Sequence, residues 1–232
     1  MLLYQKIRQY VLELISNNST KPSTKLPSER TLQEKFQSTR ITVREALFRL
    51  EAEGLIYSQK RKGWFITPPK LKLRPASKVN FNKLAVEQGF VPKTEVISIL
   101  DDIDDSFQSQ EQDIFTGDAL YHLKRVRLLD ERPVMIEAIY CQRNRFEDFE
   151  SKALSESITD IMAADYNVKI TSERCVICVT ALSNEDADIL EKNSGAPCLK
   201  IIRKRFDEHG LLVDYNYEYW LHDAIEMLVE GT

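Results

Sequence analysis

The sequence predicts an α+β protein in two parts: a winged helix-turn-helix, then a short linker, then an antiparallel sheet with helices. Three observations carry this. Residues 26–56 hold two short amphipathic patterns joined by the polar turn Gln37-Ser38-Thr39, and β-type triplets around a basic loop follow at once. Thr67-Pro68-Pro69-Lys70 then breaks every period. Beyond it, β-type runs lie next to one another across short turns, with no strand–helix–strand alternation and no Gly-rich phosphate loop, which argues against a doubly wound dinucleotide domain.

In the first part, Ile7, Val11, Leu14 and Ile15 form a helical stripe over residues 3–16, ended by Ser16-Asn17-Asn18-Ser19 and Pro22. Ser28 is a good N-cap for a helix through Phe36, with Leu32 and Phe36 inward. Thr39 caps the next, residues 40–53, whose buried stripe is Val43, Ala46, Leu47 and Leu50 and which Gly54 stops. Leu55-Ile56-Tyr57 and Trp64-Phe65-Ile66 are short strands. The expected division is residues 1–67, a basic, proline-punctuated linker at 68–76, and a second domain at 77–232.

In that second domain the expected strands are 94–100, 119–129, 133–141, 173–181, 198–206 and 212–221. The expected helices are 80–88, 107–115, 157–166 and 184–193, the last capped by Ser183 and ended by Gly195 and Pro197.

An apolar share of 43% and a charged share of 29% are those of a soluble globular chain. No apolar run approaches the roughly 18–20 residues that span a bilayer, so no membrane partner is expected. Met1-Leu2-Leu3 runs straight into polar residues, unlike a secretory signal, and a cytoplasmic location is expected. Cys175 and Cys178 form a C-x-x-C without a second pair, on a β-type run that turns them to opposite faces. Two unrelated strand thiols are expected rather than a metal or redox site, and no cofactor is implied. The net charge of −4 is unevenly spread: residues 1–67 carry twelve Lys+Arg against six Asp+Glu, and the remainder is near −10. A basic head on an acidic body suggests that the head meets a polyanion.

Placement gives that charge a chemistry. The N-terminal end of the third helix is the part of such a motif that enters a major groove, and Arg40 and Arg44 lie there with Thr39 and Thr42. Arginine donates a bidentate pair to guanine, worth roughly 1–3 kcal/mol of discrimination. Threonine hydroxyls and free helix N–H groups bind phosphate. Arg30 reaches backbone or a base edge from the preceding helix, and the basic loop Lys60-Arg61-Lys62-Gly63 forms a wing along an adjacent groove. Against this, helix arginines are commonly solvated or ion-paired, and Glu45 and Glu51 stand near enough to pair with them.

The first part resembles the winged helix of the GntR family of bacterial transcription regulators. The resemblance rests on Tyr4-Gln5-Lys6-Ile7, Leu26-Pro27-Ser28-Glu29-Arg30, Phe36, Thr39-Arg40, Thr42-Val43-Arg44, Ala46-Leu47, Leu50 and Glu53-Gly54-Leu55-Ile56. It implies that Arg30, Arg40 and Arg44 read bases while Thr39 and Thr42 hold phosphates. The family's wing tip usually reads Gly-x-Gly-Thr-Phe. Here it reads Arg61-Lys62-Gly63-Trp64-Phe65, with an arginine in place of the first glycine.

In the second part, Arg125 and Arg127 lie two apart on one strand and so share a face, where they repel unless an anion sits between them. A carboxylate side chain is one such anion; a bound carboxylate, phosphate or phosphonate is the other. A three-residue hairpin loop, Asp130-Glu131-Arg132, would pair 129 with 133 and set Glu137 opposite Arg125, whereas a two-residue loop would send Glu137 to the other face. The three-residue form is expected, with Glu137 orienting Arg125 or accepting from a ligand. The domain resembles the HutC subfamily, whose effector-binding (UTRA) domain has a chorismate-lyase-like fold. The matching stretches are His122-Leu123-Lys124-Arg125-Val126-Arg127, Arg132-Pro133-Val134 through Glu137, Ser157-Ile158-Thr159, Ala187 with Leu190, and Val213-Asp214-Tyr215 through Asp223. The resemblance implies further pocket positions at Thr94, Ser157, Thr159 and Asp214. Ser157 and Thr159 also read as a plain N-cap. Relatives often have glutamate at position 214 and arginine at position 221, which are Asp214 and Leu221 here.

The expected protein is a ligand-responsive regulator, a homodimer on palindromic operator DNA. It would be a repressor released by a small anionic effector: a phosphorylated sugar, a phosphonate or a carboxylate. The competing readings are a constitutive regulator with a vestigial pocket and a lyase-like enzyme. Against the enzyme, His122, His209 and His222 form no acid–base set with a nucleophile.

Overall fold

The structure, a computed structural model, describes residues 2–18, 23–75, 80–100, 115 and 119–229. Helix α1 (Leu3–Asn18) buries Ile7 and Val11 against α2 (Glu29–Phe36) and α3 (Arg40–Ala52). Both later helices start on the expected caps: Ser28 Oγ accepts from the Thr31 N–H at 3.1 Å and Thr39 Oγ1 from the Thr42 N–H at 3.2 Å. Val43, Ala46, Leu47 and Leu50 are fully buried. Strands β1 (Ile56–Gln59) and β2 (Gly63–Ile66) pair antiparallel, Ile56 against Ile66, with the wing turn between them.

The stretch read as linker contains a strand, β3 (Leu71–Leu73). It pairs in parallel with β10 (Ile225–Met227) and buries Leu71 and Leu73. Between them runs an antiparallel sheet of order β4-β5-β6-β9-β8-β7. Its strands are β4 (Pro92–Leu100), β5 (Leu120–Leu129), β6 (Arg132–Gln142), β7 (Ile170–Ala181), β8 (Pro197–Asp207) and β9 (Leu212–Leu221). They match the expected strands to within three residues at either end. Helices α4 (Phe81–Glu87) and α5 (Ile158–Tyr166) lie over one face of the sheet. Phe81 meets Trp220 with ring centroids 6.2 Å apart, and Ile158 and Met162 join Leu123, Ile139 and Cys141 in one apolar cluster. Helix α6 (Asn184–Ile189) starts on Ser183, as expected, but ends well before 193, where Glu191 turns left-handed at φ 53°. The helix expected at 107–115 lies outside the described residues apart from Phe115.

The β5–β6 hairpin corrects the expected loop. Leu129 pairs with Arg132 across a two-residue turn, Asp130-Glu131, with both φ angles positive as a type I′ turn requires. A bulge then restores the lost residue: Leu128 pairs with Pro133 but Arg127 with Met135, leaving Val134 over. Arg125 therefore still stands opposite Glu137. The expected pairing is reached through a different turn.

Candidate functional site

The helix-turn-helix presents Arg30, Arg40 and Arg44 to solvent. The partner of Arg40 and Arg44 is neither Glu45 nor Glu51 but Glu29, 3.1 Å from Arg40 Nε and 3.7 Å from Arg44 Nε. Glu29 also accepts from Trp64 Nε1 at 3.3 Å, so one carboxylate ties the start of α3 to the wing strand. Glu45 instead holds Arg49. Thr39 and Thr42 sit at the open end of α3 with their hydroxyls 3.0 Å apart. Ile41, between Arg40 and Thr42, is 80% exposed, and sequence reasoning passed over it.

The wing has a neighbour that the sequence did not reveal. Lys60 pairs with Asp188 and its N–H donates to the Glu191 carbonyl at 2.7 Å; Lys62 Nζ lies 2.7 Å from both Glu191 carboxylate oxygens. The lysines expected along a DNA groove are thus held by carboxylates at the end of α6. Behind them, Arg132 donates to Asp223 at 2.6 Å and stacks 3.7 Å from the Tyr57 ring centre, and Lys192 bridges Asp223 at 3.2 Å and Glu51 at 3.5 Å. Burial would raise the Asp223 carboxyl, but Arg132 and Lys192 outweigh it and hold it below its ordinary value. Arg61 and Gly63 both have positive φ, at 63° and 105°.

The second site is a cavity of about 270 Å³ between α4, α5 and the sheet. Arg125, Arg127, Glu137, Ser157 and Thr159 all line it. Thr94 and Asp214 do not; they stand behind it, Thr94 at 3.4 Å from Arg127 and Asp214 gripped through both oxygens by Arg205, which does line it. Glu137 fills the place between the two arginines. Its Oε2 accepts from Arg125 Nε at 3.0 Å, Arg125 Nη2 at 2.5 Å and Arg127 Nη2 at 2.9 Å. Arg125, only 1% exposed, spends Nη1 on the carbonyls of Leu154 and Glu156. Arg127 differs: its Nε is buried without a hydrogen-bond partner among the described residues. Burial would raise the Glu137 carboxyl, but the two guanidiniums hold it down to about 2; burial lowers Arg125 to about 10 against the pull of Glu137. Both stay charged at neutral pH.

Sequence reasoning missed the far wall. Arg203 donates to Glu218 at 2.6 Å and to Glu173 at 2.9 Å, and Arg205 donates to Thr159 at 2.8 Å. The signal was available, since Arg203 and Arg205 stand two apart on one strand just as Arg125 and Arg127 do. Ser157 acts as the N-cap of α5, accepting from the Asp160 N–H at 3.3 Å.

A winged helix with three arginines on its open face, joined to a sheet domain with a charged internal cavity, defines a DNA-binding regulator with a sensor domain. The family models agree. Residues 3–66 match the bacterial regulatory proteins of the gntR family, and residues 87–226 match the UTRA domain. The chain belongs to the GntR family of bacterial transcription regulators and carries a UTRA domain. It is 27% identical over 218 residues to the HTH-type transcriptional regulator YihL of Escherichia coli K12, covering 93% of this chain and 92% of that one. It is 27% identical over 215 residues to the HTH-type transcriptional repressor NagR of Bacillus subtilis, covering 92% and 88%. Its fold is similar to PhnF from Mycobacterium smegmatis, with a TM-score of 0.65, 18% identity and coverage of 97% and 99%. YihL and NagR are named as transcription regulators, not enzymes. Among the described residues no helix is long and apolar enough to cross a membrane.

Proposed function

We propose that the protein is a homodimeric repressor whose residues 1–67 grip a palindromic operator and whose residues 77–232, beyond the linker at 68–76, dimerise and bind a small anionic metabolite that releases the DNA. The observation that carries the effector reading is Arg127: 8% exposed, facing the cavity, with a buried Nε that lacks an acceptor. A buried donor without a partner costs about 1–3 kcal/mol, so the site gains by taking an oxyanion. Ser157 and Thr159, at the start of α5, line the same cavity. Dimerisation is supported by edge strand β7, whose Val176, Ile177 and Val179 are exposed. The expected site of action is the cytoplasm.

Calorimetry on the full chain with a panel of phosphorylated, phosphonate and carboxylate metabolites tests the pocket. Binding that disappears in Arg127→Ala supports it, and binding unchanged by that substitution sinks the assignment. On the DNA side, Arg44→Ala is expected to weaken the operator complex and relax its sequence preference, costing about 1–3 kcal/mol. An unaltered footprint would show that α3 is not the reading element.

A further inference from the structure

The charges around the cavity are not spread evenly. On the β5–β6 side, Arg125 and Arg127 share the single carboxylate of Glu137, leaving one positive charge in excess. On the β7–β8–β9 side, Arg203 is shared by Glu173 and Glu218, leaving one negative charge in excess. Arg205 and Asp214 cancel one another. Asp160, in the first turn of α5, is a further carboxylate on the lining. Two buried polar atoms without a hydrogen bond among the described residues follow the same division: Arg127 Nε, a donor, on the first side, and Asn216 Oδ1, an acceptor opposite Arg203 whose residue is 2% exposed, on the second. Asn82 Oδ1, on α4, is a further such acceptor on the cavity lining. Glu173 agrees with this picture: burial raises its carboxyl above the ordinary value despite the neighbouring Arg203.

Resting on the anion-binding reading above, we infer that the effector is zwitterionic, placing its anionic group at Arg127 and an ammonium group against Glu173 and Glu218. An anion alone would meet the positive end and leave the negative end and its open acceptor unanswered. A hydroxyl in the place of the ammonium would satisfy the acceptor and leave the charge. An ammonium does both, because it has only donors and carries the opposite sign.

The test uses the full chain and two matched probe series: ω-aminoalkyl phosphates and ω-hydroxyalkyl phosphates with about two to six methylenes, a range suited to a small pocket. For the best-fitting length the amino probe is expected to bind about tenfold more tightly, the worth of one charge-assisted hydrogen bond. Glu173→Gln, at the less buried carboxylate, should bring the two probes to within about twofold. Equal binding of the two series to the unaltered protein overturns the inference, and so does an amino preference that survives both Glu173→Gln and Glu218→Gln. If both series bind equally and both are lost in Arg127→Ala, the anion site stands and only the ammonium assignment falls. If neither series binds, the anion site falls as well.

Discussion

Arg61 holds a left-handed backbone, φ 63°, at the wing position where related sequences usually have glycine. A side chain there costs about 1 kcal/mol or more. Arg61→Gly is therefore expected to stabilise the winged helix by about 1 kcal/mol, seen as a rise of about 4–8 °C in its melting temperature, while weakening DNA binding by removal of a cation. A fall in melting temperature would remove the strain argument. Ile41 poses the reverse case, an apolar side chain in water on the helix proposed to read bases. Its natural partner is the methyl group of a thymine. Ile41→Ala should leave folding unchanged yet cost about 1 kcal/mol of operator affinity, and uracil in place of the contacted thymine should cost the native protein a similar amount. If no thymine-to-uracil change matters, Ile41 does not touch the bases. Glu137 governs the acid side. Its carboxyl is held near 2 in the folded chain against an ordinary 4.5, so its contribution is complete above about pH 4.5 and fades as pH falls toward 2. Glu137→Gln should cost about 3–5 kcal/mol at neutral pH, because it strands two buried guanidiniums, and should flatten stability across that acid window in denaturant titrations.

Among the elements, the six long strands and the capped helices could be read from the sequence because each spans enough residues to show its period, and because Ser28, Thr39 and Ser183 mark helix starts by the chemistry of the free N–H groups. The β3–β10 pair could not. Three residues show no period, and the partner lies near the other end of the chain. The hairpin turn was hidden for another reason: Glu131 occupies a left-handed position that usually calls for glycine, so nothing in Asp130-Glu131 announces a type I′ turn. The site was half legible. Arg125 and Arg127 stand out beside Lys124 in a strand whose other residues, His122 apart, are apolar or aromatic, whereas Arg203 and Arg205 sit in a run with Lys200 and Lys204 that reads as an ordinary solvated basic strand. Their carboxylate partners come from β7 and β9, which only the strand order brings together.

At the scale of the whole molecule, the basic head and the acidic body first seen as a charge imbalance touch one another. The pairs Lys60–Asp188 and Lys62–Glu191 are partly exposed, so each contributes about 0.2–1 kcal/mol. The double substitution Asp188→Asn with Glu191→Gln should therefore raise operator affinity only a few-fold at low salt, and the gain should shrink as salt screens both the internal pairs and the DNA contacts. No change at low salt would mean that the wing lysines take no part in binding. The consequence reaches past affinity. Carboxylates set where the wing lysines would meet phosphates would act as a tethered decoy for DNA. A decoy lowers both modes of binding by the same factor, and binding that rests on charge alone, weaker to begin with, is the first to be lost, whereas base contacts from α3 would sustain the other. The acidic end of α6 would then serve as a discrimination filter, keeping the protein off random sequence.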